Sequence, residues 1–225
     1  MAKKLISEQT IQDAARRGEK KITIDGGTII TAAAKDRAKQ LGIRIEQKDH
    51  NPSRELITPM QKTAPQLGSK EIIAIGSDHG GFQLKEILKP FLESLDKNVV
   101  DLGTYSEESC DYPDFAYAVA RTISLGNASK GIMIDSIGLA SAIVANKLPG
   151  IRAVCCFDEY SAKSSREHND ANILTLGGKV LGSELAKSVV KIWIETNFGG
   201  GRHQKRVQKI ADIEKRVQSG GEPNR

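Results

Sequence analysis

The chain has 225 residues, of which 27% are charged and 39% hydrophobic, the balance of a folded water-soluble protein and not of a disordered chain. Its longest run without a charged residue, 136–146, falls far short of the ~20 apolar residues that a membrane helix needs. A formal net charge of +5 invites a nucleic-acid reading, but the first 70 residues carry a net +6 and the remainder a net −1, so the basicity says little about what the larger part binds.

In chain order, residues 1–49 read as helix, strand, helix, strand. Ser7 is placed to cap a first helix, Ile11, Ala14 and Ala15 give it helical spacing, and Gly18 ends it. Lys21-Ile-Thr-Ile-Asp25 alternates as a half-buried strand before the Gly26-Gly27 turn. Thr31 caps a second helix that Gly42 closes, and Ile43-Arg-Ile-Glu46 alternates again. A unit of this size buries little core on its own. Residues 50–70, with three prolines and no periodicity, read as a linker.

From residue 71 apolar strands (72–75, 99–102, 131–134, 151–155, 173–176) alternate with helical segments (82–95, 113–125, 138–147, 158–168, 183–195), and a basic amphipathic helix closes the chain at 203–218. Short strands that are apolar throughout, spaced by helices, predict a five-stranded parallel sheet covered on both faces, an α/β three-layer sandwich. Ligands of such sheets bind at the carboxyl ends of the strands. The first of those loops is Gly76-Ser-Asp-His-Gly-Gly81, where Asp78 and His79 sit on a turn into a helix or serve as structural caps. The second holds Asp111-Tyr-Pro-Asp114, a helix start that also places Tyr112 on that edge. The third is Asp135-Ser-Ile-Gly-Leu-Ala-Ser141, with Asp135 as a reactive carboxylate or a helix cap beside Ser136 and Gly138. Further on, His168-Asn169-Asp170 ends a helix, and Arg202 and Arg206, four apart after a triple glycine, share a helical face suited to a phosphate. Adjacent Cys155 and Cys156 point to opposite faces of a strand and read as packing. The first residues lack the apolar core of a signal peptide, and three cysteines are too few for a disulfide framework, so the expectation is a cytoplasmic protein.

Together, Gly76-Ser-Asp-His-Gly-Gly-Phe-Gln-Leu-Lys85, Asp111-Tyr-Pro-Asp114, Ala145-Asn-Lys147, Gly150-Ile-Arg-Ala153, Tyr160-Ser-Ala162, Ser165-Arg-Glu-His-Asn-Asp-Ala-Asn172 and Gly200-Gly-Arg-His-Gln-Lys-Arg-Val207 resemble the type B ribose-5-phosphate isomerases and their kin, the galactose-6-phosphate isomerase subunits. The resemblance spans 71–217 and implies a Rossmann-like fold, a homodimer or homotetramer with active sites shared between subunits, and aldose–ketose isomerisation through an enediolate with neither metal nor cofactor. It also implies roles. His168 helps open the sugar ring, Asp78 and His79 hold substrate hydroxyl and phosphate groups, Asn169 and Tyr112 line the pocket, and Arg202 and Arg206 clamp the phosphate from the neighbouring subunit.

The third loop departs from the pattern. Many such isomerases carry Cys-Gly-Thr-Gly-x-Gly there, with the cysteine as the base and the glycine amides as an anion hole; others place a glutamate six residues on. Here those positions hold Asp135 and Ser141, and of the glycines only Gly138 remains. The loop is similar instead to that of the galactose-6-phosphate isomerase A subunit. Three readings follow: Asp135 replaces the cysteine, or the chain lends His168 and the arginines to a partner that carries the base, or the chain binds sugar phosphates without turnover. An aspartate is a weak base at neutral pH unless burial raises its pKa. The 1–49 segment resembles the opening segments of some bacterial microcompartment proteins, ethanolamine-utilisation proteins among them. That implies docking to a shell or enzyme partner inside a microcompartment, with a plain stabilising appendage as the other reading. It has no aromatic residue on which to stack bases, so nucleic acid is not expected.

Overall fold

A computed structural model of the chain describes residues 5–6, 8–24, 29–30, 32–47 and 70–220. The chain divides into two compact units, Met1–Glu55 and Leu56–Arg225. The expected caps Ser7 and Thr31, the Gly26-Gly27 turn and all of the 50–70 stretch except Lys70 lie outside the described residues.

In the first unit the order is β1 (Leu5–Ile6), α1 (Glu8–Arg16), β2 (Lys21–Ile24), β3 (Ile29–Ile30), α2 (Ala32–Gln40) and β4 (Arg44–Gln47). It contains the expected helix–strand pairs and adds two strands of two residues each, too short for alternation to show. Strand β1 pairs parallel with β3, and β2 with β4, so the unit is one β-α-β plan used twice. Each helix ends on a glycine at positive φ, Gly18 at 74° and Gly42 at 65°. Ile11, Ala14, Ala34, Ala38 and Ile43 form its buried core.

The second unit runs β5 (Ile72–Ser77), α3 (Phe82–Ser94), β6 (Asn98–Asp101), α4 (Tyr112–Ser124), β7 (Lys130–Asp135), α5 (Leu139–Ala145), β8 (Ala153–Cys155), α6 (Glu159–Asn169), β9 (Ile173–Gly177), α7 (Ser183–Glu195) and α8 (Arg202–Gln218). Its five strands form one parallel sheet in the order β6-β5-β7-β9-β8. Alternation along the strands divides the core into two layers. Ile73, Ile75, Ile132, Ile134, Leu174 and Leu176 face α3, α6 and α7, with Leu88 and Trp193 wholly buried among them. Ala74, Met133 and Ile173 face α4 and α5, which contribute Ala116, Val119, Ala120 and Ala145. Helix α4 comes close because two strands offer glycine beneath it: a Cβ on Gly76 or Gly131 would lie 2.8 or 2.7 Å from the Val119 methyl groups.

Just before β5, Glu71 receives Lys130 at 2.7 Å and Lys97 at 3.0 Å, with the Ser129 hydroxyl at 2.8 Å. Burial opposes its charge, but these donors outweigh burial and hold its pKa at about 2. A carboxylate depressed in the folded state stabilises above its unfolded pKa and loses that contribution as pH falls. Glu71→Gln should therefore cost on the order of 2 kcal/mol at neutral pH. Urea titrations should show the gap from wild type closing between pH ~4.5 and ~2.

Candidate active site

Six of the expected residues meet at the carboxyl edge of the sheet. The turn after β5 is stitched to β7 by the Asp78 N–H, which donates to the Ile134 carbonyl at 3.1 Å. Gly81 closes that turn so tightly against β7 that a Cβ there would strike the Ile134 carbonyl group. Asp78 is only 5% exposed, and its Oδ1 accepts from the Gly81 N–H at 2.9 Å. Burial raises its pKa above the usual carboxylate range, the nearby charge of Asp135 adds to that, and the Gly81 N–H and His79 pull the other way. Nδ1 of His79 rests on the Cys110 backbone, 3.3 Å from its N–H and 3.2 Å from its carbonyl oxygen, leaving Nε2 without a partner among the described residues. Tyr112 opens α4 behind Asp111, with Pro113 in the first turn as its fixed φ favours. The loop that carries them is anchored by buried Lys85, whose Nζ donates at 2.7 Å to both oxygens of Asp101, while Asp101 accepts from the Gly103 N–H at 3.0 Å.

Asp135, the expected base, is committed elsewhere. Its Oδ1 accepts from the N–H groups of Ile137, at 2.8 Å, and of Gly138; its Oδ2 accepts from the Ser141 N–H at 3.0 Å and from the Ser141 hydroxyl. A carboxylate offers about four lone-pair sites, and all four are taken. Gly138, at φ 93°, makes this possible by turning the loop back on the strand end, where a Cβ would lie 2.8 Å from the Cys155 sulfur. The amides expected to form an anion hole are thus turned inward. The carboxylate organises its loop and caps α5, the other role its position allowed. Ser136 packs beside Gly80, where a Cβ would strike the Ser136 hydroxyl.

The other four residues lie at the opposite edge. Helix α6 starts beyond the end of β8 and runs back, so His168 and Asn169 come just before the start of β9. The Asn169 and Asp170 carbonyls accept from Arg152 Nε at 3.1 and 2.9 Å, at the entry to β8. The Gly199 N–H donates to the Glu167 carbonyl at 2.9 Å, which brings the start of α8 to the same place. His168 and His203 stack with ring centroids 4.2 Å apart and planes within 8°. Limited burial, His168, Arg202 and Arg206 together hold the pKa of His203 below its usual value. Nδ1 of His168 lies 3.1 Å from the Ser164 hydroxyl. Arg202 and Arg206 are exposed, and neither pairs with a carboxylate among the described residues. Since β7 has six residues, the two edges are roughly 17 Å apart. One chain therefore does not bring His168, Asn169, Arg202 and Arg206 to Asp78, His79, Tyr112, Asp135, Ser136 and Gly138.

The model of the ribose/galactose isomerase family matches residues 73–210. The chain belongs to that family. It is 46% identical over 144 residues to ribose-5-phosphate isomerase B of Escherichia coli, covering 64% of this chain and 97% of that protein. It is 38% identical over 143 residues to D-erythrulose-4-phosphate isomerase of Pectobacterium atrosepticum, covering 63% of this chain and 94% of that one. Among solved structures, ribose-5-phosphate isomerase B of Clostridium thermocellum superposes with a TM-score of 0.64 at 50% identity, over 65% of this chain and 99% of that one.

Membership of the family accounts for the second unit, while the 1–72 segment lies outside the matched range. Among the described residues no group of three His, Cys, Asp or Glu side chains could hold a metal ion. Two contributors went unread in the sequence. Ser164 lies four residues before His168 on the same helix, a spacing that places both on one face. His203 stands inside the arginine cluster, and nothing in the linear spacing places its ring against His168, 35 residues earlier.

Proposed function

We propose that this chain isomerises phosphorylated aldoses and ketoses through an enediolate, in sites that each combine the carboxyl edge of one copy with the opposite edge of a second. The observation that carries this reading is the separation of the two groups: cationic side chains suited to a phosphate, with no carboxylate partner among the described residues, lie at one end of the sheet, and Asp78 and His79 at the other. Helix α8 favours a second copy, because none of its residues is buried and Ile210, Ile213 and Val217 form an exposed apolar stripe along it. Exposed Ile137, Leu139 and Ile143 flank the carboxyl edge in the same way.

Ribose 5-phosphate is the substrate named by the family relatives that cover almost their full length here, and a four-carbon 4-phosphate is the other size on offer. Arg202 and Arg206 take the phosphate, whose shape and charge suit two guanidinium forks. His168 faces the ring oxygen with Nε2 while the Ser164 hydroxyl holds the imidazole in place at Nδ1. The purified chain, assayed alone with ribose 5-phosphate and D-erythrulose 4-phosphate, tests the reading: turnover supports it. A second reading, in which this chain lends its cationic edge to a partner bearing the base, is favoured by the saturated state of Asp135. It is supported if turnover appears only when a cysteine-bearing relative is added.

The two substrates also separate the role of Ser164. In a tetrose 4-phosphate the phosphate occupies O4, no furanose ring closes, and no ring needs opening. Ser164→Ala should slow ribose 5-phosphate turnover about tenfold, in the range of a weakened acid–base group, and leave the four-carbon substrate unaffected. Equal losses on both would assign Ser164 to the fold instead.

For the first unit we assign recruitment of this domain to a larger assembly. Its separate core and its resemblance to microcompartment segments support that role. Shell protein co-purifying with the full chain, and not with residues 71–225, is the expected result.

A further inference from the structure

The third loop leaves the reaction without its expected base, and the structure offers a replacement one strand away. We propose that Asp78 is the catalytic base that moves the proton between the two carbons. This rests on the isomerase reading above.

Strand β5 lies beside β7, so Asp78 and Asp135 end neighbouring strands. All acceptor sites of Asp135 are filled by its own loop. Asp78 differs in its hydrogen bonding. Its Oδ1 takes the Gly81 N–H at 2.9 Å and the Gly80 N–H also donates to the carboxylate, so two backbone donors face it where three N–H groups and a hydroxyl face Asp135. Like Asp135 it is 5% exposed, so an approaching substrate displaces little water from it. Burial keeps its pKa above that of an ordinary carboxylate, which makes it a better proton acceptor than a solvated aspartate. His79 follows it directly, with Nε2 unpartnered.

The step balances without any further reactant. The Asp78 carboxylate takes the proton from C2 of the open-chain aldose phosphate. The C2–H electron pair becomes the C1–C2 double bond, and the carbonyl pair moves to O1. His79 carries the proton of the O2 hydroxyl to O1, and the O2 pair re-forms a carbonyl at C2. The Asp78 carboxyl then returns its proton to C1. Asp135 and Ser141 close the third loop on itself, and the neighbouring Asp78 carboxylate keeps lone pairs that Asp135 has committed.

The test measures exchange of the transferred hydrogen with D2O by proton NMR, on ribose 5-phosphate and D-erythrulose 4-phosphate, for the full chain and for Asp78→Asn and Asp135→Asn. Asp78→Asn preserves shape and the acceptor for the Gly81 N–H, and thermal melts verify that each variant is folded. The expected result is exchange lowered at least a thousandfold in Asp78→Asn, with partial recovery in Asp78→Glu. Folded Asp135→Asn should melt at lower temperature and exchange within about tenfold of wild type. Asp78→Asn that exchanges within tenfold of wild type overturns the assignment, and so does folded Asp135→Asn with exchange abolished. A wild-type chain that exchanges hydrogen on neither sugar overturns the isomerase reading itself and takes the assignment with it; the wild-type arm reports that outcome separately.

Discussion

Replacing Arg202 and Arg206 together with alanine should lower kcat/KM for ribose 5-phosphate about a thousandfold and leave the melting temperature where it was. Both guanidinium groups are exposed, stand four residues apart on α8 and lack a carboxylate partner among the described residues, so neither contributes an ion pair to the fold. Hydrogen bonds to charged groups are worth about 1.5–3 kcal/mol each, and two such contacts to one phosphate amount to about 4 kcal/mol, or three powers of ten. Binding that is equal in the ground and transition states is lost as a higher KM, and orientation of the reacting carbons is lost as a lower kcat. Competitive inhibition by inorganic phosphate should disappear in the same variant. Retained inhibition with lost turnover would place the phosphate elsewhere.

The second large effect is expected at Gly81. A methyl group there meets the Ile134 carbonyl, which is backbone in a central strand and has no room to yield. The turn that carries Asp78 and His79 must move instead, and the Asp78 N–H bond to Ile134 stretches or breaks. Overpacking of this kind costs about 1–3 kcal/mol, and a shift of about 1 Å at the reacting groups costs about a hundredfold in rate. Gly81→Ala should therefore lower both stability and turnover, the latter by at least about a hundredfold. Gly182→Ala is the comparison: nothing lies within 4 Å of its Cβ, and the change should stay within about 0.5 kcal/mol.

Much of the architecture was legible because the strands of a sheet covered on both faces are apolar at every position. Residues 72–75, 131–134 and 173–176 stood out for that reason and proved to be β5, β7 and β9 with one to two further residues each. Strand β6 is shifted by one residue and ends at Asp101, although buried, apolar Leu102 still donates its N–H to the Ile75 carbonyl at 2.8 Å. The two-residue strands β1 and β3 were not legible, because two residues have no period. The separation of the site into two edges was implicit in the topology: a helix that follows a parallel strand must return to the other end, and His168 closes such a helix. The commitment of Asp135 was not legible. It depends on the positive φ of Gly138, which turns three backbone N–H groups and one hydroxyl onto a single carboxylate. Sequence spacing shows that Asp135 can cap α5, but only the folded loop shows that nothing of it is left over.

The most direct test of the shared site is complementation between two inactive variants of the full chain. One carries Asp78→Asn with His79→Ala, and the other carries Arg202→Ala with Arg206→Ala. Each alone lacks one half of every site. After subunit exchange of an equal mixture, half of the dimers are mixed and one of the two sites in each is intact, so about a quarter of wild-type activity should return. Activity in the mixture no greater than the sum of the two variants would contradict a site built across two copies of this chain.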